Sequence, residues 1–298
     1  MNNAFFAFLA KEDVEYKRNV SIKELSSVKI GGIAPCVIYP DTAEKLALCI
    51  QYLFKNNISY KIIGRMSNVL MVEKIFNGVL VSTASLNRIS IKNCFITAEC
   101  GASYSSLLFA ACEYGYYLDA ELFGIPGSLG GMVYSNAGAY DKEISDRLIR
   151  ARVYSQFENK VLFLEKSMLD FSYRNSRLKK TGEILLSASF SLSELKDRDI
   201  LKSIAEIKEK RRQSQPLEYP SLGSVFKRYN GISAGYYIDK AGLKGFSVGG
   251  AMVSSKHAGF IVNTAFATAD DYITLINTIK EVVYNKFQIM LEEEIEYI

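Results

Sequence analysis

The 298-residue sequence holds a single histidine, no C-x-x-C pair among its five cysteines, no polybasic run and no apolar stretch as long as a membrane span. Each absence excludes a class of protein. Cys36, Cys49, Cys94, Cys100 and Cys112 are odd in number and unpaired in spacing, so neither a zinc site nor a disulfide framework is indicated, and buried reduced thiols are expected. Basic charge is slight and dispersed, 36 lysines and arginines against 32 aspartates and glutamates for a formal net charge of +4. That balance argues against nucleic acid and suits an anionic small molecule. The apolar opening "AFFAFLA" is short, has no basic segment before it and runs into "KED", unlike a secretory signal. With nothing of spanning length, a soluble cytoplasmic protein is expected. No G-x-x-x-x-G-K-[ST] occurs, and Gly124, Gly127, Gly130 and Gly131 do not fit G-x-G-x-x-G, so neither a P-loop nor a Rossmann fingerprint is supported.

What is present is ordinary globular composition, 49% apolar and 23% charged, in a chain long enough for two or three packed domains. The first half reads as α/β. "CVIY" and "YKII" predict strands around a helix that starts at Asp41, with Glu44 as a capping-box partner, and runs to about Lys55. "GVLVST", "RISI" and "CFITAEC" predict further strands, and a helix runs from Ser103 to a stop at Gly115. A long charged segment, "SELKDRDILKSIAEIKEKRRQSQP", predicts a helix ending at Pro216 and puts a domain junction near Leu195. Beyond it, "HAGFIVN" predicts a strand, and "TADDYITLINTIKEVVYNKF" predicts an amphipathic helix with Tyr272, Leu275, Ile276, Ile279, Val282 and Val283 on one face. "IMLEEEIEYI" predicts a closing strand, with Leu291, Glu293, Ile295 and Tyr297 on one side and Glu292, Glu294 and Glu296 on the other.

Chemistry is suggested first by "GIPGSLGGMVYSNAGAY", Gly124 to Tyr140. Glycine at this density means close backbone approach, and amides beside Ser128 and Asn136 suit a pyrophosphate. A tight packing corner between strands is an equal alternative. A second loop, "IIGRMSNVLM", presents Gly64, Ser67 and Asn68 as it leaves a strand. Then come "FSYRNS" with Arg174, "GSVFKR" with Ser224, Lys227 and Arg228, and "VSSKHAGFIVN" with His257.

In this order and spacing the motifs resemble the UDP-N-acetylenolpyruvoylglucosamine reductases, or UDP-N-acetylmuramate dehydrogenases, flavoenzymes of bacterial peptidoglycan precursor synthesis and so of cell wall biogenesis, cell shape and division. The resemblance runs from "KIGG" at Lys29 to the final strand. It implies two α/β subdomains of the PCMH-type flavin fold, 1–82 and 83–194, that hold FAD, and a C-terminal α/β substrate-binding domain, 195–298, whose last strand returns to the flavin domain. It implies FAD contacts from Gly64, Arg65, Ser67, Asn68, Gly127, Ser128, Gly130, Gly131, Asn136, Gly138 and Tyr140. NADPH would reduce the flavin and leave. The flavin would then pass hydride to the enolpyruvyl C3 of UDP-N-acetylglucosamine enolpyruvate, giving UDP-N-acetylmuramate.

Charge building on C2 and its carboxylate needs fixed cations and a proton donor. Ser224, activated by neighbours such as Lys227, would protonate C2, while Arg174 and Glu294 would stabilise and protonate the enolate-like intermediate. Lys227 and Arg228 would hold the diphosphate of the substrate, with Tyr173 beside them. Tyr134, Tyr140, Tyr236 and Tyr237 are candidates to face flavin or uridine. His257 is expected to be structural, and no metal is implied.

Each assignment has a plainer counterpart: Arg174 as an ion-pair partner, Ser224 as a turn cap, and Glu294 as part of a solvated acidic run. The short interval between Arg174 and Ser224 places the chain in the subclass lacking a tyrosine-bearing lid loop. Two departures stand out. Met66 occupies the second glycine of the family's G-x-G-S-N loop, which predicts strain of about 1 kcal/mol if the backbone needs positive φ, crowding of the phosphates and weaker FAD binding. The Asn-Thr usual before "KIGG" is replaced by Leu25-Ser26. Two alternatives follow, a catalytically silent homologue that binds a nucleotide sugar or a protein partner, and another flavin oxidase or dehydrogenase on the same fold.

Overall fold

The computed structural model describes residues 3–195 and 200–298; the Lys196–Asp199 part of the charged segment lies outside them. The chain forms two compact units, one of residues 1–18, 36–64 and 78–208, the other of residues 19–35, 65–77 and 209–298. These units are drawn differently from boundaries at residues 82 and 194. The reason lies in the cores: one apolar cluster joins Leu46, Ile50 and Val81 to Ile96, Leu107 and Val153, so the chain packs straight across residue 82. A second joins Val28, Ile30 and Leu70 to Leu222, Ile261 and Ile279.

In the first unit the strand Val79–Ser82 lies parallel to both Cys36–Ile38 and Tyr60–Ile63. It is buried on both faces, as a continuous apolar run between covering layers must be. The helix Ala43–Lys55 makes the return connection. Its cap is Thr42 rather than Asp41. The Thr42 Oγ1 accepts the Lys45 N–H at 3.1 Å, while Asp41 pairs with the Lys45 ammonium at 3.1 Å and Glu44 reaches Arg152 at 3.1 Å instead of closing a box.

A five-stranded antiparallel sheet follows, in the order Lys160–Glu165, Leu148–Ser155, Ile184–Ser191, Phe95–Glu99, Ile89–Lys92. The helix Tyr104–Glu113 packs on it, capped by the Ser103 hydroxyl and closed by Gly115 at φ +75°, as its sequence predicts. Among the described residues the charged helix spans Ile200–Ser214. Ser193–Glu194 instead pairs with Tyr116–Tyr117, because the Leu192 and Leu195 amides are taken by the Cys94 and Gly115 carbonyls at 2.8 and 3.1 Å.

The second unit is an antiparallel sheet in the order Ser221–Ser224, Phe260–Asn263, Ala251–Val253, Ser247–Val248, with the helices Ala234–Lys240 and Ala269–Phe287. Thr268 and Asp271 cap the long helix reciprocally, and Tyr272, Leu275, Ile276, Ile279 and Val283 are buried along it, with Val282 at the margin. The expected closing strand is mostly irregular. Only Glu296–Tyr297 forms a strand, parallel to Val69–Leu70, and Glu293 makes an isolated bridge to Phe226. The segment changes partner midway, which interrupts a regular ladder.

Candidate active site

In the first unit the glycine stretch folds partly into a short helix, Leu129–Tyr134, capped by Ser128. The Leu129 and Gly130 amides donate to the Ala102 and Cys100 carbonyls at 2.8 and 2.7 Å, and the Gly131 amide donates to the Ser128 hydroxyl at 3.4 Å. These three amides are engaged within the protein, so the stretch offers bare α-carbons more than spare donors. A Cβ on Gly64 would overlap the Ser128 hydroxyl, which brings Gly64 and the glycine stretch into contact. The close approach expected of a packing corner is what these contacts show.

Asn136 is 1% exposed and sits at φ +45°. Its Nδ2 donates to the Glu143 carboxylate at 2.7 Å and to the Ser172 carbonyl at 3.1 Å. Both partners are pure acceptors, which fixes the amide orientation. The Asn136 Oδ1 is left buried with no partner, an acceptor facing a missing donor. Ser172 and Asn175 close a tight turn by exchanging backbone bonds of 3.1 and 3.0 Å, and Tyr173 and Arg174 form its tip. Arg174, at φ +55°, donates to the Gly138 carbonyl at 3.1 Å and lies 4.9 Å over the Tyr173 ring. Gly138, Asn136 and Arg174 are therefore one cluster. Tyr134 and Tyr140 are exposed, Tyr134 beneath the Lys179 ammonium.

In the second unit Ser224 is exposed at the end of its strand, after a register shift in which Gly223 takes φ +77°. Such an irregularity re-aims the following side chain. The next residue, Val225, accepts the Glu294 N–H at 2.8 Å, and the Glu294 carbonyl accepts the Asn68 Nδ2 at 3.0 Å. Val225, Glu294 and Asn68, far apart in sequence, meet here, one residue after Ser224. Lys227 binds the Glu292 carboxylate. Arg65 and Arg228 are exposed, and Ser67 is partly buried. Tyr237 packs on Phe287 and Tyr229, with Tyr236 edge-on to it. The His257 Nδ1 accepts the Gly259 N–H at 3.1 Å, its ring lies 4.8 Å from Phe260, and burial holds its imidazole below the usual value.

Comparison with known proteins accounts for both units. The family model described as UDP-N-acetylenolpyruvoylglucosamine reductase, C-terminal domain, matches residues 215–298, and that described as FAD binding domain matches residues 34–156. The UDP-N-acetylenolpyruvoylglucosamine reductase of Caldicellulosiruptor saccharolyticus is 41% identical over 97% of this chain and 94% of its own length. That of Caldicellulosiruptor bescii is 42% identical over 99% and 94%. The chain belongs to the UDP-N-acetylenolpyruvoylglucosamine reductase family. The crystal structure of the Thermus caldophilus reductase superposes with a TM-score of 0.80 at 29% identity, covering 95% of this chain and 98% of that one. An alkyldihydroxyacetonephosphate synthase, 17% identical with a TM-score of 0.52, shares the fold over 66% of this chain.

Within this reductase family the departures of the chain take on structural meaning. Met66 does adopt positive φ, +46°, and its carbonyl accepts the N–H of Ser27, the residue after the altered Leu25-Ser26 pair, at 3.2 Å. The Ser26 hydroxyl beside them is buried with no partner. The Met66 side chain is 2% exposed, enclosed by protein rather than projecting into open space. Left-handed strain costs about 1 kcal/mol, whereas emptying a buried methionine site costs about 2–5 kcal/mol. The cavity wins. Met66→Gly is expected to destabilise by about 1–4 kcal/mol, lowering the thermal midpoint without tightening FAD, and a raised midpoint in a thermal scan would overturn the ranking.

Sequence reasoning passed over two features. Asn136 bridging Glu143 and Ser172 has no local signature, because its partners are seven and thirty-six residues away. The Asp119–Arg147 ion pair, at 3.1 Å, links the residue before the Ala120–Leu122 turn to the edge of the five-stranded sheet, and only the fold brings them together.

Proposed function

We propose that the chain is an FAD-dependent reductase that uses NADPH to convert UDP-N-acetylglucosamine enolpyruvate to UDP-N-acetylmuramate in peptidoglycan precursor synthesis. The observation that carries this is the full-length likeness to reductases 41% and 42% identical, spanning both the FAD-binding and the C-terminal regions. The residues present fit the cofactor. The bare α-carbon of Gly64 lets the Ser128 side chain close on the loop, and the orphaned Asn136 Oδ1 awaits a donor.

FAD, when bound, supplies the hydride-transfer chemistry between NADPH and the enolpyruvyl carbon. Gly64, Arg65, Ser67, Asn68, Gly127, Ser128, Gly130, Gly131, Asn136, Gly138 and Tyr140 are the residues we assign to holding it. Arg174 and Glu294 steady the negative charge that develops on C2 and its carboxylate, and Ser224 delivers the proton to C2. The Asn136 and Gly138 contacts orient the Arg174 turn, and the pairing of Glu294 with Val225 keeps its backbone beside the Ser224 strand. Tyr173, Lys227 and Arg228 engage the nucleotide-sugar substrate. In functional rather than packing terms, residues 1–82 and 83–194 serve the cofactor and 195–298 the substrate, in the subclass without a lid loop. Among the described residues no helix is long and apolar enough to cross a membrane, and we assign the enzyme to the cytoplasm, where its substrates are made.

The test is anaerobic. The FAD-loaded protein is reduced with one equivalent of NADPH and mixed with UDP-N-acetylglucosamine enolpyruvate, and the oxidised flavin spectrum is expected to return. Persistent reduced flavin would reject this acceptor in favour of another flavin reaction, and failure to take up FAD would leave a silent homologue.

A further inference from the structure

Three consecutive glutamates, Glu292 to Glu294, stand in an irregular segment held by one bridge at Glu293 and a two-residue strand at Glu296–Tyr297. Adjacent carboxylates repel, so side-chain partners add to the backbone bonds that Glu292, Glu294, Glu296 and Ile298 make to Lys227, Val225, Asn68 and Leu70. Each of the first two has its own cation. Glu292 is bound by Lys227, and Glu293 is bound by the Lys280 ammonium at 2.8 Å through one oxygen and by the Tyr297 hydroxyl through the other. Burial alone would raise the Glu293 carboxyl, yet these two donors hold it below its usual value. Lys280 projects from the long helix whose Ile276, Ile279 and Val283 are in the core, so its Cα is a fixed point.

We propose that Lys280, Glu293 and Tyr297 form a latch of positioning residues, tying the C-terminal segment to the helix Ala269–Phe287 so that Glu294 stays beside Val225 and the Ser224 strand. The latch rests on the reading of Glu294 as a catalytic residue. Its ends lie on either side of Glu294, at Glu293 and Tyr297, while the Glu294 peptide is bonded to Val225 and to Asn68. The Lys280 side chain is 41% exposed and that of Glu293 20%, and ion pairs so open to water stabilise by about 0–1 kcal/mol. The effect is therefore read in placement rather than in folding, and misplacing a reacting group by 1 Å costs on the order of 100-fold.

The holoenzyme carrying Lys280→Met is expected to lose roughly tenfold in the rate at which the enolpyruvyl substrate reoxidises reduced flavin, a partial misplacement. Reduction by NADPH and the thermal midpoint are expected to hold. Lys280→Arg restores the rate, Tyr297→Phe gives a smaller loss, and amide exchange at Glu294 and Glu296 quickens in Lys280→Met. Equal loss of both half-reactions, or unchanged reoxidation in Lys280→Met where Glu294→Gln slows it, would overturn the latch. If Glu294→Gln itself leaves reoxidation unchanged, the catalytic reading of Glu294 is what fails. Amide exchange then decides the latch alone, unchanged exchange in Lys280→Met rejecting it.

Discussion

Replacing Ser224 with alanine is expected to slow reoxidation of the flavin by the enolpyruvyl substrate by about 10²–10⁴-fold, the usual contribution of a positioned proton donor. Reduction by NADPH should remain within about twofold, since it asks for no proton at the substrate C2. The split separates chemistry from folding. Ser224 is exposed, and removing an exposed hydroxyl shifts stability by only about 0.5 kcal/mol. The irregularity at Gly223 fixes the direction of the strand end whatever side chain follows, so the alanine variant should keep the pairing of Val225 with Glu294. Stopped-flow traces of the two half-reactions check this. Loss of both in equal measure would remove Ser224 from the role of donor and return it to the plainer one of a turn residue.

Activation of that serine is the point at which the local reading of the sequence needs revision. Lys227 looks like a neighbour in "GSVFK", but its ammonium is bound to Glu292. Glu294 and Asn68 are the residues the fold actually brings to the Ser224 strand, through backbone bonds that no spacing reveals. Regular elements were legible because their signals are local. Periodicity marked the buried face of the Ala269–Phe287 helix, and a hydroxyl followed by glycine marked both ends of Tyr104–Glu113. Where two local signals compete, as Asp41 and Thr42 do at one helix start, the residue whose hydroxyl reaches the third amide becomes the cap. The C-terminal segment misled for the converse reason. Its alternation is that of a strand, yet it divides its pairing between the Phe226 region and Val69–Leu70 and is regular in neither stretch for long.

Asp119→Ala is expected to destabilise the protein by about 2–4 kcal/mol, near the lower end of what breaking a buried ion pair costs. The Asp119 side chain is 3% exposed and accepts from Arg147 through Nε at 3.2 Å and Nη2 at 3.1 Å. Arg147 also donates from Nη1 to Ser193 at 2.8 Å and lies 5.8 Å over the Tyr117 ring, so one guanidinium joins the turn before the glycine stretch to the Tyr116–Tyr117 and Ser193–Glu194 pairing. Removing the carboxylate strands the cation. Because Arg147 is 26% exposed, water recovers part of its hydration and the full penalty is not reached. At about 2.1 cal/mol/K of unfolding entropy per residue, a chain of 298 residues shifts by about 1.6 °C per kcal/mol, so the midpoint should fall by roughly 3–6 °C when FAD is held at one saturating concentration, since ligand alone moves the midpoint. The pair itself need not be stabilising. Asp119→Ala combined with Arg147→Met removes both charges and should recover most of the loss, as apolar replacements of buried pairs do. A double variant no more stable than Asp119→Ala would mean that the cost lies in the lost geometry of the turn rather than in the stranded charge.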